Sequence, residues 1–200
     1  VLRAHVTVPD IYITTPDRAI VDEIVHHWPD FPKKNVVWTS PDCRNGTERV
    51  AETVQLLNLP LDTVVVNCQA DQYGFRTGTF IDGPVSLIHS GMFQVATTVC
   101  PLAPGDCDKR QVVKFLLEEK GPKTQARQFT RQLPVSHMEP VYRHIGVYAA
   151  SAGKFLEYTE LPETKEERKQ GLEQLRWEDP IGVHPIQDSP ITIDTPEDIG

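Results

Sequence analysis

The sequence predicts an α/β domain in which a mixed sheet carries helices on both faces. Three observations lead there. Short β-branched strands alternate with amphipathic helices early in the chain, and strand-like stretches with little helical periodicity follow in the middle. The 200 residues, 39% of them hydrophobic and 24% charged, suffice for the core of one domain spanning 1–200.

The elements follow in order. "IYIT", Ile11 to Thr14, reads as a short buried strand. "TPDRAIVDEIVHHW" then places Ile20, Val21, Ile24, Val25 and Trp28 at helical spacing, with Thr15 as N-cap and Pro16 at the first helical position. "NVVW", Asn35 to Trp38, is a second strand, and a helix over about 47–57 buries Val50, Val54 and Leu57. "TVVVN" is a third strand. Strands joined by helices imply right-handed crossovers and a parallel sheet covered on both faces. In the middle, "MFQVATTVC" (Met92 to Cys100), "QVVKFLLEE" (Gln111 to Glu119) and "RHIGVYAA" (Arg143 to Ala150) are strand-like, so antiparallel additions are expected. A short helix over 151–158, an acidic helix opened by the capping box Thr164 to Glu167 and reaching about Trp177, and the strand "IGVHPI" complete the order.

Composition narrows the function classes. A net charge of -8 argues against nucleic-acid binding, which needs a lysine and arginine surface, and implies that an anionic ligand needs a cation as intermediary. No apolar run is long enough to span a bilayer. Cys43, Cys68, Cys100 and Cys107 form no Cys-x-x-Cys pair and follow no leader sequence, which points to packing thiols in a reduced, cytoplasmic compartment, with a zinc site as the alternative. The Asn45-Gly46-Thr47 sequon reads as chance.

The stretch "TVVVNCQADQYG" sends a valine-rich strand into Asp71, with Gln69 and Gln72 beside it. Residues just beyond the carboxyl ends of such strands face the ligand in open α/β sheets. "ITIDTPED" places Asp194 in like surroundings, after an alternating segment and before a Thr-Pro helix start. Two such carboxylates could hold one Mg²⁺, which takes few protein oxygens and leaves room for water and phosphates. On the residues alone, Asp71 as a turn residue and Asp194 as a helix cap remain open.

Five segments in this order, "VVWTSPDCRNGTERVAE", "VVVNCQAD", "VYRHIGVYA", "LEQLRW" and "IDTPED", resemble the 3-deoxy-manno-octulosonate cytidylyltransferases, or CMP-Kdo synthetases, from about Ile11 to the end. The resemblance implies a Rossmann-like nucleotide-sugar-transferase fold and a homodimer, here expected through 92–143. It also implies transfer of CMP from CTP to Kdo, a lipopolysaccharide sugar acid, with release of pyrophosphate. By resemblance, Asp71 and Asp194 hold Mg²⁺ at the catalytic centre. Asn45, Gly46, Thr47, Arg49 and Gln69 lie near the nucleotide, and Gln69, Arg131, His144, Tyr148, Glu173 and Gln174 contact the sugar acid. Arg131 could grip its carboxylate bidentately. His144 and Tyr148 share a strand face by their even spacing, with Gly146 between them.

The sequence also departs from the family. The basic Pro-Ala-Arg loop that holds the triphosphate in relatives does not occur, Ala70 replaces a glycine, and "DQYG" replaces Asp-Glu-Pro beside Asp71. The chain opens at Val1 and closes on a helix-start pattern, so we expect it to be cut at both ends, with the first strand and nucleotide loop missing. Two alternatives stand beside CMP-Kdo synthesis: a catalytically weakened binding or assembly module of the same fold, and a cytidylyltransferase for another sugar acid such as sialic acid.

Overall fold

The computed structural model describes residues 10–73, 77–120, 123–133, 140–187 and 189–193. Its first unit is parallel: β1 (Ile13–Thr15), α1 (Arg18–His27) and β2 (Val36–Trp38), with Ile13 opposite Val36 and Thr15 opposite Trp38. Asp17, not Thr15, caps α1, its carboxylate accepting the Ala19 N–H at 2.8 Å. No residue of α1 is buried, and Ile20 and Val25 are exposed. Of the apolar stripe at helical spacing, only Val21, Ile24 and Trp28 are half-buried.

Next come α2 (Gly46–Leu56), β3 (Val64–Cys68), the short β4 (Gln72–Tyr73) and α3 (Thr77–His89). They are followed by β5 (Val95–Pro101), β6 (Lys114–Lys120), β7 (Lys123–Thr130) and β8 (Tyr142–Ser151). The chain continues through α4 (Ala152–Glu160), α5 (Lys165–Gln170), a 3₁₀ turn (Glu173–Arg176), β9 (Ile181–Pro185) and β10 (Ile191–Thr192). The main sheet runs β3-β8-β5-β9-β7-β6, and it curls until the start of β6 meets the start of β8.

The three early strands do not form one parallel sheet. β3 joins the main sheet antiparallel to β8, and no described strand bridges β1 to β3, although α2 packs on both. Helices do cover both faces. α2 and α4 bury Val50, Val54, Phe155 and Tyr158 against one face, while Phe80 and Ile81 of α3 pack with Ile145, Val147 and Cys100 on the other.

α3 and β7 escaped the sequence reading. Gly83 and Pro84 lie inside α3, where they read as breakers. Pro84 has no N–H to give the carbonyl four residues back, that of Phe80, and the buried Thr98 hydroxyl donates to that carbonyl instead at 2.8 Å. A Cβ on Gly83 would strike the His184 ring of β9, so the glycine allows the helix to press on the sheet. α5 is shorter than predicted. Its capping box forms as expected, but Gly171 adopts a left-handed φ of 62° and ends the helix at Gln170.

Candidate active site

A cleft of about 810 Å³ opens where the carboxyl end of β3 meets the beginning of β8. The antiparallel register sets Asn67 opposite Tyr148 and Cys68 opposite Val147, so the residues after β3 emerge beside those that open β8. Asn45, Gly46, Gln69, Asp71, His144, Tyr148, Glu173 and Gln174 all line this cleft, drawn from four distant stretches of the chain.

Gly146 makes the junction possible. It adopts a φ of 34°, where the pairing of β8 with β5 is irregular, and a Cβ there would strike the Gln69 amide oxygen. The missing side chain is thus space for Gln69. Across this irregularity the rings of His144 and Tyr148 stay 5.1 Å apart, as their even spacing predicted. Burial holds the His144 imidazole neutral, pushing its pKa down to about 3.

Asp71 projects into the cleft with one carboxylate oxygen accepting the Gln72 amide at 3.1 Å. Gln72 in turn accepts from the Thr192 hydroxyl at 3.2 Å, and Arg143 donates to that same hydroxyl oxygen. This chain of contacts ties Asp71 to the start of β8. β10 pairs antiparallel with β4, and the Ile193 N–H reaches the Asp71 carbonyl at 2.8 Å. Asp194 itself lies outside the described residues. The second oxygen of Asp71 has no hydrogen-bond partner among the described residues, which leaves it open to a hard cation. No three His, Cys, Asp or Glu side chains gather as a closed cage among those residues; Mg²⁺, which needs one or two carboxylates plus substrate oxygens, fits such a donor set.

At the amino end of α2, Asn45 caps the helix through the Glu48 N–H at 2.9 Å. Glu173 places one carboxylate oxygen 3.0 Å from the Thr47 N–H, while its other oxygen lies beside the Gly46 amide and Gln69 without a well-formed hydrogen bond. Burial pushes the Glu173 carboxyl upward against the pull of those amides. Thr47 is fully buried, its hydroxyl makes no well-formed hydrogen bond among the described residues, and it does not line the cleft.

Two arginines sit differently from expectation. Arg49 spends its guanidinium on the Thr39 hydroxyl at 2.7 Å and the Ser40 carbonyl at 3.1 Å, away from the cleft wall, because the loop after β2 needs a donor there. Arg131 does reach the cleft, but its N–H groups go to the carbonyls of Gln170, Gly171, Arg110 and Gln111. Those carbonyls include the last of α5, whose own helix cannot satisfy them, and the bidentate fork expected for a carboxylate is already engaged.

Sequence reasoning missed three contributors. Arg143 and Arg176 fell within the segments "VYRHIGVYA" and "LEQLRW" but were given no role, and Thr97 was hidden within a buried run. Arg176 is 2% exposed and is clamped by Glu167 and by Glu48 at 2.9 Å, with its charge over the Tyr158 ring, so it braces the cleft wall. Only long-range pairing reveals these roles.

The fold and this cleft define a nucleotidyltransferase of the α/β class. The family described as "Cytidylyltransferase" matches residues 2–183. The 3-deoxy-manno-octulosonate cytidylyltransferase of Alteromonas mediterranea is 33% identical over 178 residues, covering 82% of this chain and 72% of the relative. That of Chlamydia caviae is 30% identical, covering 99% and 77%. In structure, a CMP:2-keto-3-deoxy-manno-octonic acid synthetase complexed with CTP superposes with a TM-score of 0.81 at 21% identity, over 99% of this chain and 80% of that one. The chain belongs to the cytidylyltransferase family, among the 3-deoxy-manno-octulosonate cytidylyltransferases.

Proposed function

We propose that the protein transfers CMP from CTP to a Kdo-type sugar acid. A hydroxyl oxygen of the sugar attacks the α-phosphorus, the bond to the β-phosphate oxygen breaks, pyrophosphate leaves, and the hydroxyl proton passes to solvent. The observation that carries this reading is the convergence of Gln69, Asp71, His144, Tyr148 and Glu173 on one cleft in a chain of this family. In this reading Gln69 and the amino end of α2 would meet the nucleotide and His144 and Tyr148 the sugar; all of them line the cleft with Asp71. Asp71 would hold Mg²⁺ together with Asp194, whose neighbour Ile193 is bonded to the Asp71 backbone. When bound, the cation neutralises phosphate charge. The chain's own part is positioning. Gln72 and Arg143 fix the Asp71 carboxylate, and Gly146 lets Gln69 pack against β8.

One observation favours the weakened-module reading. Cations in the cleft are already engaged: Arg44 by Glu48, Lys109 by Asp106, Arg168 by Glu163, and Arg131 by carbonyls. A triphosphate therefore needs positive groups beyond these. Pyrophosphate release decides between the two readings. The active reading predicts release that requires CTP, Kdo and Mg²⁺ together, falls at least tenfold with UTP or ATP, and is lost in Asp71→Asn. Release independent of Kdo would overturn it, and no release with retained Kdo binding would favour the module.

Two further properties belong to the same reading. The four cysteines are free thiols, which fits work in the cytoplasm on a soluble nucleotide. No described helix is long and apolar enough to cross a membrane. We also propose a homodimer through 92–143, because β6 beyond Phe115 has a strand partner on one side only among the described residues.

A further inference from the structure

The wall of the cleft contains a hydrogen-bond relay that fixes how His144 can meet a ligand. Thr97 is fully buried on β5, and its hydroxyl oxygen lies 2.6 Å from the Val147 carbonyl and 2.9 Å from His144 Nε2. A carbonyl can only accept, so the single hydroxyl hydrogen goes to Val147. The Thr97 oxygen must then accept from His144, and the ring hydrogen resides on Nε2. In the neutral ring Nδ1 keeps a bare lone pair, and it has no protein partner among the described residues. Phe129 at 5.4 Å and Tyr148 at 5.1 Å hem in the ring and hold this orientation.

We propose that Thr97 is a positioning residue that locks His144 as the Nε2–H tautomer, so that Nδ1 meets the ligand as an acceptor for a sugar hydroxyl. This rests on the sugar-acid reading of the cleft. It carries a consequence for specificity: a lone pair attracts a hydroxyl hydrogen and repels a carboxylate, so the acid group of the sugar must bind elsewhere in the cleft. A ligand lacking a hydroxyl at this point leaves a buried acceptor unpaired and is discriminated against.

Long-range ¹H–¹⁵N spectra of the labelled chain at neutral pH read the tautomer directly. The wild type and Thr97→Ser should show His144 protonated at Nε2 alone, whereas Thr97→Val should show a mixture or the Nδ1–H form. Kdo titration should be weakened about tenfold in Thr97→Val and stay within about twofold of wild type in Thr97→Ser. An Nδ1–H ring in the wild type, or an unchanged ring in Thr97→Val, overturns the lock. Should Thr97→Val fail to fold, the wild-type and Thr97→Ser spectra still decide, since an Nδ1–H ring in either overturns the lock. A locked wild-type ring with no Kdo binding would refute the sugar-acid reading while upholding the lock.

Discussion

A buried histidine gives this site its sharpest residue-scale signature. His144 is neutral in the folded chain down to about pH 3, because burial opposes its charged form, whereas in the unfolded chain it takes up a proton below about pH 6.5. Between those values the unfolded state binds the extra proton, so stability is full above about pH 6.5 and falls as pH drops toward 3. The slope from this one group is at most about 1.4 kcal/mol per pH unit. Urea unfolding at pH 7 and pH 4 should therefore show a larger loss in wild type than in His144→Gln. Burial also lowers His184, but that contribution is common to both proteins and cancels. Equal losses in the two would mean that His144 is wetter than the structure shows. The same residue illustrates what sequence could and could not say. Its motif and even spacing to Tyr148 were legible, but its partner Thr97 lies 47 positions away within a run that read only as strand.

At the scale of elements, local pattern was legible where apolar residues ran without breakers at one period. α2 was legible because Val50 and Val54 recur at helical spacing, and β3 because three consecutive valines form a short β-branched run. α3 and β7 were not. α3 is held by packing that supplies a hydroxyl for the carbonyl orphaned by Pro84, and "KTQARQFT" of β7 has few apolar residues because β6 and β9 provide its pairing. In both, tertiary contacts override propensity. β6 also bears on association. Its edge beyond Phe115 is open among the described residues. Light scattering at micromolar concentration should give twice the chain mass, and charge reversal at exposed positions of β6 such as Glu119→Lys should shift it toward the monomer. A monomer in the wild type removes the proposed interface.

For the whole molecule, the sequence separated what is carried in contiguous motifs from what only assembly shows. Asp71, three residues beyond β3, was legible as a residue at the cleft, since a strand leads into it. The contact that brings Ile193 to its backbone, and the Arg143 chain that steadies it, depend on segments joined only by folding. The arginines sit differently from expectation for a similar reason. A guanidinium with five donors serves whichever carbonyls the fold leaves unsatisfied, and Arg49 and Arg131 meet such groups before any ligand arrives. With a net charge of -8 and its cleft cations engaged, the proposed function assigns recognition of the sugar acid to the neutral polar lining of His144, Tyr148, Gln69 and Gln174. Calorimetric titration of Kdo into wild type and His144→Ala tests that claim most directly. The account predicts saturable binding to the wild type and at least about tenfold weaker binding to the variant, the cost of one lost buried hydrogen bond; equal affinities, or no binding to the wild type, would contradict it.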